Sequence, residues 1–218
     1  MILYNEYNLK GIDKMNYYID FDNTLYNTPL LKDAMLDAIS SEIALEKKLD
    51  NTEILKQCSL MFNRENIYDI YELAKYFSNK YNANSDVVID KLNNVILDGK
   101  KFLFDDTINF LNKLKQKSHK LYMLTYCKES LQFQSLKISG SKIANMFDSL
   151  FITSKPKYEL DIDYTNGIFI DDNPKDLIGL YNKNPKDLIR IRRPENKYSV
   201  KEIENIKIKE FKNLSEFN

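Results

Sequence analysis

Six short runs constrain this chain more than anything else in it. They are "YYI" at 17–19, "KLYMLT" at 120–125, "SLFIT" at 149–153, "GIFI" at 167–170 and "LIRI" at 188–191, with a weaker "IKIKEF" at 206–211. The first five are apolar almost throughout rather than alternating, the pattern of strands covered on both faces in a parallel sheet. Between them lie segments of helical period. "DDTINFLNKLKQ" sets Ile108, Leu111 and Leu114 on one face, with Asp105 or Asp106 able to cap it. "KESLQFQSLKIS" aligns Leu131, Gln134 or Ser135, and Ile138, and "NPKDLIGLYNK" gathers Leu177, Ile178 and Tyr181. Strand–helix–strand alternation of this kind predicts an α/β fold with a doubly wound, mainly parallel sheet.

One region breaks the alternation. From about Pro29 to Asp98 the patterning is helical without a convincing strand. Pro29 suits a first helical turn and is followed by a stripe of Leu31, Met35, Ala38 and Ile39. A second stripe runs through Ile67, Ile70, Tyr71, Ala74 and Phe77, and a third, capped by Ser85, through Val88, Leu92, Val95 and Ile96. The predicted organisation is a core domain of residues 1–27 and 99–218 with an all-helical insertion at 28–98. An insertion that follows the first strand can sit over that strand's end. The hexapeptide "NPKDLI" occurs at 173–178, where it should open a helix, and at 184–189, where it runs into a strand. Two copies make no repeat architecture.

At 218 residues the chain can hold one large domain, or one core with a modest inserted subdomain. Lys plus Arg and Asp plus Glu both number 32, a balance that argues against a nucleic-acid surface. Cys58 and Cys127 stand in no metal-binding spacing and read as reduced thiols of a cytoplasmic protein. The single His119 cannot build a His-rich metal site and is expected at the surface, where a strand begins. No signal peptide and no membrane span are expected, and residues 1–14, ahead of Met15, read as a dispensable extension.

Open α/β sheets bind ligands where their strands end. The first run ends in Asp20 and Asp22, the second in Thr125, and the fourth in Asp171 and Asp172 of "FIDDNPKDL". Gathered in one crevice, these acids would repel one another without a cation, and a hard divalent ion with oxygen ligands resolves that repulsion. Mg²⁺ is the expected cofactor. Each group has an ordinary reading by itself. Asp-x-Asp-x-Thr is a weak motif, Asp171-Asp172-Asn173-Pro174 could be only a helix start, and Thr125 only a strand-end hydroxyl. An EF-hand is excluded, because Leu25 and Leu31 occupy the positions of its glycine and closing glutamate. The ordered combination after successive apolar strands is harder to dismiss.

In that order the residues resemble the four motifs of the haloacid dehalogenase-like (HAD) hydrolases. "YYIDFDNTL" resembles the first, "LYMLT" the second, "ITSKPK" the third and "GIFIDDNPKD" the fourth. The resemblance spans the chain from residue 16 and makes the helical insertion a cap of the C1 type. It implies that Asp20 is the nucleophile and Asp22 the general acid/base, while Thr125 holds a phosphate oxygen. It further implies metal ligation by the Asp20 carboxylate, the Asp22 backbone carbonyl and Asp172, with Asp171 orienting the cluster from behind. The motif lysine is read as Lys155, directly before Pro156, with Lys157 the rival. Two departures stand out. Tyr126-Cys127 replaces the small or amide residue and glycine of many relatives, and only fifteen residues separate Pro156 from Asp171.

Haloacid dehalogenases lack an acid at the place of Asp22, so its presence favours phosphoryl transfer. The resulting expectation is a Mg²⁺-dependent phosphatase of a small phosphorylated metabolite, a nucleotide or sugar phosphate. The alternatives are a sugar phosphomutase and a catalytically silent binding module. Tyr68, Tyr71 and Tyr76 could line its pocket, although helical spacing more often means core.

Overall fold

The computed structural model describes residues 14–64, 69–127, 130–194, 196–204, 206 and 208–217. Six strands form one sheet: β1 (Asn16–Ile19), β2 (Lys120–Tyr126), β3 (Ser149–Thr153), β4 (Gly167–Asp171), β5 (Asp187–Ile191) and β6 (Lys209–Phe211). Their order is β3-β2-β1-β4-β5-β6, and all five pairings are parallel. The chain winds outward from β1 to one edge, then returns to β4 and winds to the other. The winding therefore reverses between β1 and β4, whose carboxyl ends border the crevice where such sheets bind ligands.

The strands are apolar throughout because both faces are covered. Tyr17, Ile19, Met123, Ile170 and Ile189 pack on one face with Phe110, Leu111 and Leu114 of α5 (Thr107–Gln116). Tyr18, Leu124, Phe169 and Leu188 pack on the other with Leu177 and Leu180 of α7 (Pro174–Tyr181). Each fully buried Ile or Leu contributes about 1.5–3 kcal/mol. The first "NPKDLI" opens α7, with Asn173 capping Lys175 N–H, and the second leads into β5.

The helical stretch comprises α1 (Thr28–Lys47), α2 (Asn51–Arg64), α3 (Ile70–Lys80) and α4 (Ser85–Leu97). Leu31, Met35, Ala38 and Ile39 are buried along α1 as expected. Ile67 and Tyr68 lie outside the described residues. The cap of α4 is Asn84 rather than Ser85, its side chain accepting from Asp86 N–H. These helices join the sheet through a two-stranded ribbon. Tyr26 pairs antiparallel with Leu103, Asn27 N–H donates to Phe102 O at 2.7 Å, and Phe104 N–H donates to Leu25 O at 3.1 Å. They also rest on α6 (Leu131–Ser141), where a Cβ on Gly140 would lie 2.0 Å from the Ile96 carbonyl oxygen of α4.

Three sequence expectations change. Neither Asp105 nor Asp106 caps α5, because Asp106 occupies the cap position but turns its carboxylate to Arg193 and Leu214 N–H. On α7, Ile178 and Tyr181 are exposed and Leu180 is buried instead. On α6, Leu131 is exposed, while the buried face carries Gln134, Lys137 and Ile138. His119 does stand where β2 begins, but it is half-buried, its Nδ1 accepting from Met15 N–H and its ring 5.1 Å from that of Tyr17. Among the described residues, no helix is long and apolar enough to cross a membrane.

Candidate active site

The chain leaves β1 through a tight turn. Leu25 and Tyr26 N–H both donate to Phe21 O, and Asn23 N–H donates to Tyr26 O at 2.7 Å. Asn23 sits at φ 58°, a left-handed conformation that asparagine accepts more readily than most residues. Phe21, Leu25 and Tyr26 are fully buried, with the Phe21 and Tyr26 rings stacked at 4.7 Å. Asp20 N–H still bonds Ile170 O on β4, which fixes the first acid beside the end of that strand.

Lys157 supplies the cation at this point. Its Nζ lies 2.6 Å from Asp20 Oδ1 and 2.6 Å from Asp171 Oδ2, and all three side chains are buried. The preference for Lys155 is thereby corrected. Lys155 is exposed and its backbone is occupied with the Thr153 hydroxyl. Pro156 is extended, and a single 3₁₀ turn at Lys157–Glu159 then swings Lys157 inward. The Tyr164 hydroxyl bonds the carbonyls of Lys157 and Leu160 and holds this short segment in place.

Asp20, Asp171 and Asp172 each offer an oxygen within 4.8 Å of the other two. Asp171 lies within this group, one of its oxygens taken by Lys157. Its other oxygen accepts from Asn173 N–H. Burial pushes the Asp20 carboxyl well above the usual range, and Asp171 and Asp172 add to this against the opposing effect of Lys157. Burial and the neighbouring Asp171 push Asp172 up to about 8, and Asp176, one helical turn along α7, up to about 6. Lys157 stays an ammonium, because Asp171 and Asp20 outweigh its desolvation. Once ionised, these three buried carboxylates would outweigh the one ammonium of Lys157, and an all-oxygen donor set of this kind fits a hard divalent cation such as Mg²⁺.

The Asp22 carboxylate stands outside that group. It accepts from Thr28 Oγ1 (2.6 Å), Gln134 Nε2 (2.7 Å) and Lys137 Nζ (2.6 Å). Burial raises its pKa, but Lys137 and the two other donors outweigh burial and hold it below the usual range. Thr125, fully buried at the end of β2, accepts from the same Gln134 amide at 2.8 Å. Gln134 and Lys137 escaped the sequence reading of function because they look like interruptions of an apolar stripe. Their one signal was that α6 offers few apolar residues for its buried face. Asp176 could have been found from its spacing, four residues after Asp172. Asn196, which bonds Asp172, had no local signal.

Asn23, Tyr126, Asn173 and Tyr198 complete the walls of a cavity of about 160 Å³ around these acids. Larger grooves of about 950 and 810 Å³ share none of them. Tyr71 borders the second of these grooves, and Tyr76 is exposed on α3, so neither tyrosine lines the acid cavity.

No protein-family model matches the sequence, and no curated protein matches it. Solved structures do match. YfnB of Bacillus subtilis, a HAD-hydrolase bound to magnesium, is 17% identical with a TM-score of 0.59, over 93% of this chain and 96% of its own. A HAD phosphatase from Thermococcus onnurineus is 16% identical with a TM-score of 0.56, over 93% and 95%. A haloacid dehalogenase-like hydrolase from Xanthomonas campestris is 12% identical with a TM-score of 0.58, over 94% and 92%. These likenesses establish the fold, which is the HAD-like α/β fold that the four motifs led one to expect.

Proposed function

We propose that this chain is a Mg²⁺-dependent phosphatase that hydrolyses a small phosphomonoester through an aspartyl-phosphate on Asp20. One observation carries the reading: two carboxylates of a single turn have opposite environments. Asp20 belongs to a three-carboxylate group with Lys157, whereas Asp22 is held apart by three donors of its own. Separating similar acids in this way is how one site obtains a nucleophile and a proton carrier.

An Asp20 oxygen attacks phosphorus, the bond from phosphorus to the leaving oxygen breaks, and that oxygen takes a proton from Asp22. Water then attacks the acyl phosphate, gives its proton to Asp22, and the bond from phosphorus to Asp20 breaks to release phosphate. Mg²⁺ on Asp20, Asp171 and Asp172 would screen the nucleophile from the phosphate and offset developing charge. Lys157 neutralises part of the same charge, and Thr125 can hold a phosphate oxygen. Because Asp22 is ionised at rest, the first proton arrives most easily with a monoanionic phosphate. The helices α1–α4 act as a C1-type cap, and the small cavity suits a small metabolite. Two free thiols, Cys58 and Cys127, suit the cytoplasm.

The test is phosphate release from an aryl phosphate and a phosphomonoester panel, with and without Mg²⁺. Metal-dependent release that vanishes in Asp20→Asn supports the reading, and free phosphate rather than an isomerised sugar phosphate separates it from mutase chemistry. No release from any member of the panel would overturn it.

A further inference from the structure

We propose that Asn196, on the loop between β5 and β6, is a positioning residue that orients the Asp172 carboxylate for cation binding, and that three arginines fix the loop for this purpose. The inference rests on the proposed Mg²⁺ site. Asn196 is buried, and its Nδ2 donates to Asp172 Oδ2. Its Oδ1 accepts from Tyr198 N–H at 3.0 Å. With the acceptor end held by the loop's own backbone, only the donor end of the amide can face the acid. The bond occupies one of the roughly four acceptor positions of the carboxylate and fixes its rotation.

The loop is anchored at unusual cost. Arg190 lies wholly buried on β5, and a buried guanidinium is tolerated only when it is well paired. Its NH1 donates to Glu210, and its NH2 to the carbonyls of Tyr198 (2.7 Å) and Lys201 (2.6 Å). Arg192 Nε donates to Ser199 O at 2.8 Å. Arg193 grips Asp106 with both terminal nitrogens and donates to Thr24 O in the turn after Asp22. The three guanidiniums thus tie the loop on both sides of Asn196 to β6, α5 and the first motif. What the loop presents to the acids is the Asn196 amide, with Tyr198 at the cavity wall.

Mg²⁺ affinity of the full chain, measured by titration calorimetry, tests this with two variants. Asn196→Ala removes both bonds. Asn196→Ser keeps a side-chain oxygen able to accept from the N–H two residues on, so the turn survives while the reach to Asp172 is lost. Both variants should bind Mg²⁺ about tenfold or more weakly, the usual cost of removing an orienting partner. Turnover should return toward wild type at saturating Mg²⁺, with melting temperatures in chelator close to wild type for Asn196→Ser. Wild-type affinity in Asn196→Ser would overturn the assignment, even if Asn196→Ala is weakened, because only the turn would then matter. A wild-type protein that binds no Mg²⁺ would instead overturn the metal site itself.

Discussion

Asp20 and Asp22 stand two residues apart on one turn, yet each is neutralised by a different buried lysine at 2.6 Å, Lys157 for the first and Lys137 for the second. The lysines come from separate elements, the segment after β3 and helix α6. The two acids therefore cannot share one counter-charge, and their proton affinities move in opposite directions. Changes at either lysine should be read in different experiments.

Lys157→Ala leaves Asp20 and Asp171 buried together without their ammonium. Breaking such a pair costs about 3–5 kcal/mol. Urea denaturation in metal-free buffer should show a loss of that size, and phosphate release should fall to background. Lys155→Ala, on the surface, should stay within about 0.5 kcal/mol of wild type and keep its turnover.

Lys137→Met removes the strongest influence holding the Asp22 pKa down. An opposite charge at this range holds a carboxyl pKa down, so its loss should move the Asp22 titration upward. Where Asp22 must donate a proton, activity should persist to higher pH. The shift should appear in pH profiles of kcat/KM for an alkyl phosphate and be much smaller for an aryl phosphate, whose leaving group needs no proton. Identical profiles for the two proteins on both substrates would contradict this assignment.

Metal-free stability should fall as pH rises from about 4 to about 8. Asp172 titrates near 8 and Asp176 near 6 in the folded chain, against about 3.9 when unfolded. Across that window Asp172 and Asp176 hold more protons in the folded chain than in the unfolded chain, so their titration makes rising pH favour unfolding. His119, whose pKa burial lowers, opposes this in part. Asp22, lowered, and Lys157, raised, keep their charges throughout it. Melting curves in chelator should show the decline, Asp172→Asn should flatten it, and added Mg²⁺ should raise the melting temperature more at pH 8 than at pH 6.

Gly140→Ala places a methyl 2.0 Å from the Ile96 carbonyl oxygen, backbone that cannot swing aside. The helices must separate, and overpacking of this kind costs about 1–3 kcal/mol. Thermal denaturation should register it, with hydrogen exchange rising first at the end of α4.

What could be read from the chain follows from how local each signal is. Strands β1 to β5 were legible because an apolar run in a doubly covered sheet needs no partner to identify it. β6 was harder, since among the described residues of the run 206–211 only Lys209–Phe211 pairs as a strand. Asp20, Asp22, Asp171 and Asp172 were legible because they directly follow such runs. Lys157 was misjudged in favour of Lys155 because the choice depends on one 3₁₀ turn after Pro156, which changes the side chain's direction by less than the sequence pattern resolves. Lys137 and Asn196 depend on contacts 115 and 24 residues away, and no periodicity encodes those.

The ribbon that joins the helices to the sheet has a mechanical consequence. Outgoing residues 25–27 and returning residues 102–104 are cross-linked by backbone bonds on successive rungs. A two-stranded ribbon bends across its plane, but it cannot shear along its length without losing every rung together. The joint that links the helices to the sheet is therefore stiff along its length, and their seat on α6 adds a second restraint. Where the helices sit relative to Asp20 is thus set at two places, the bridge of Tyr26 with Leu103 and the contact of Gly140 with Ile96.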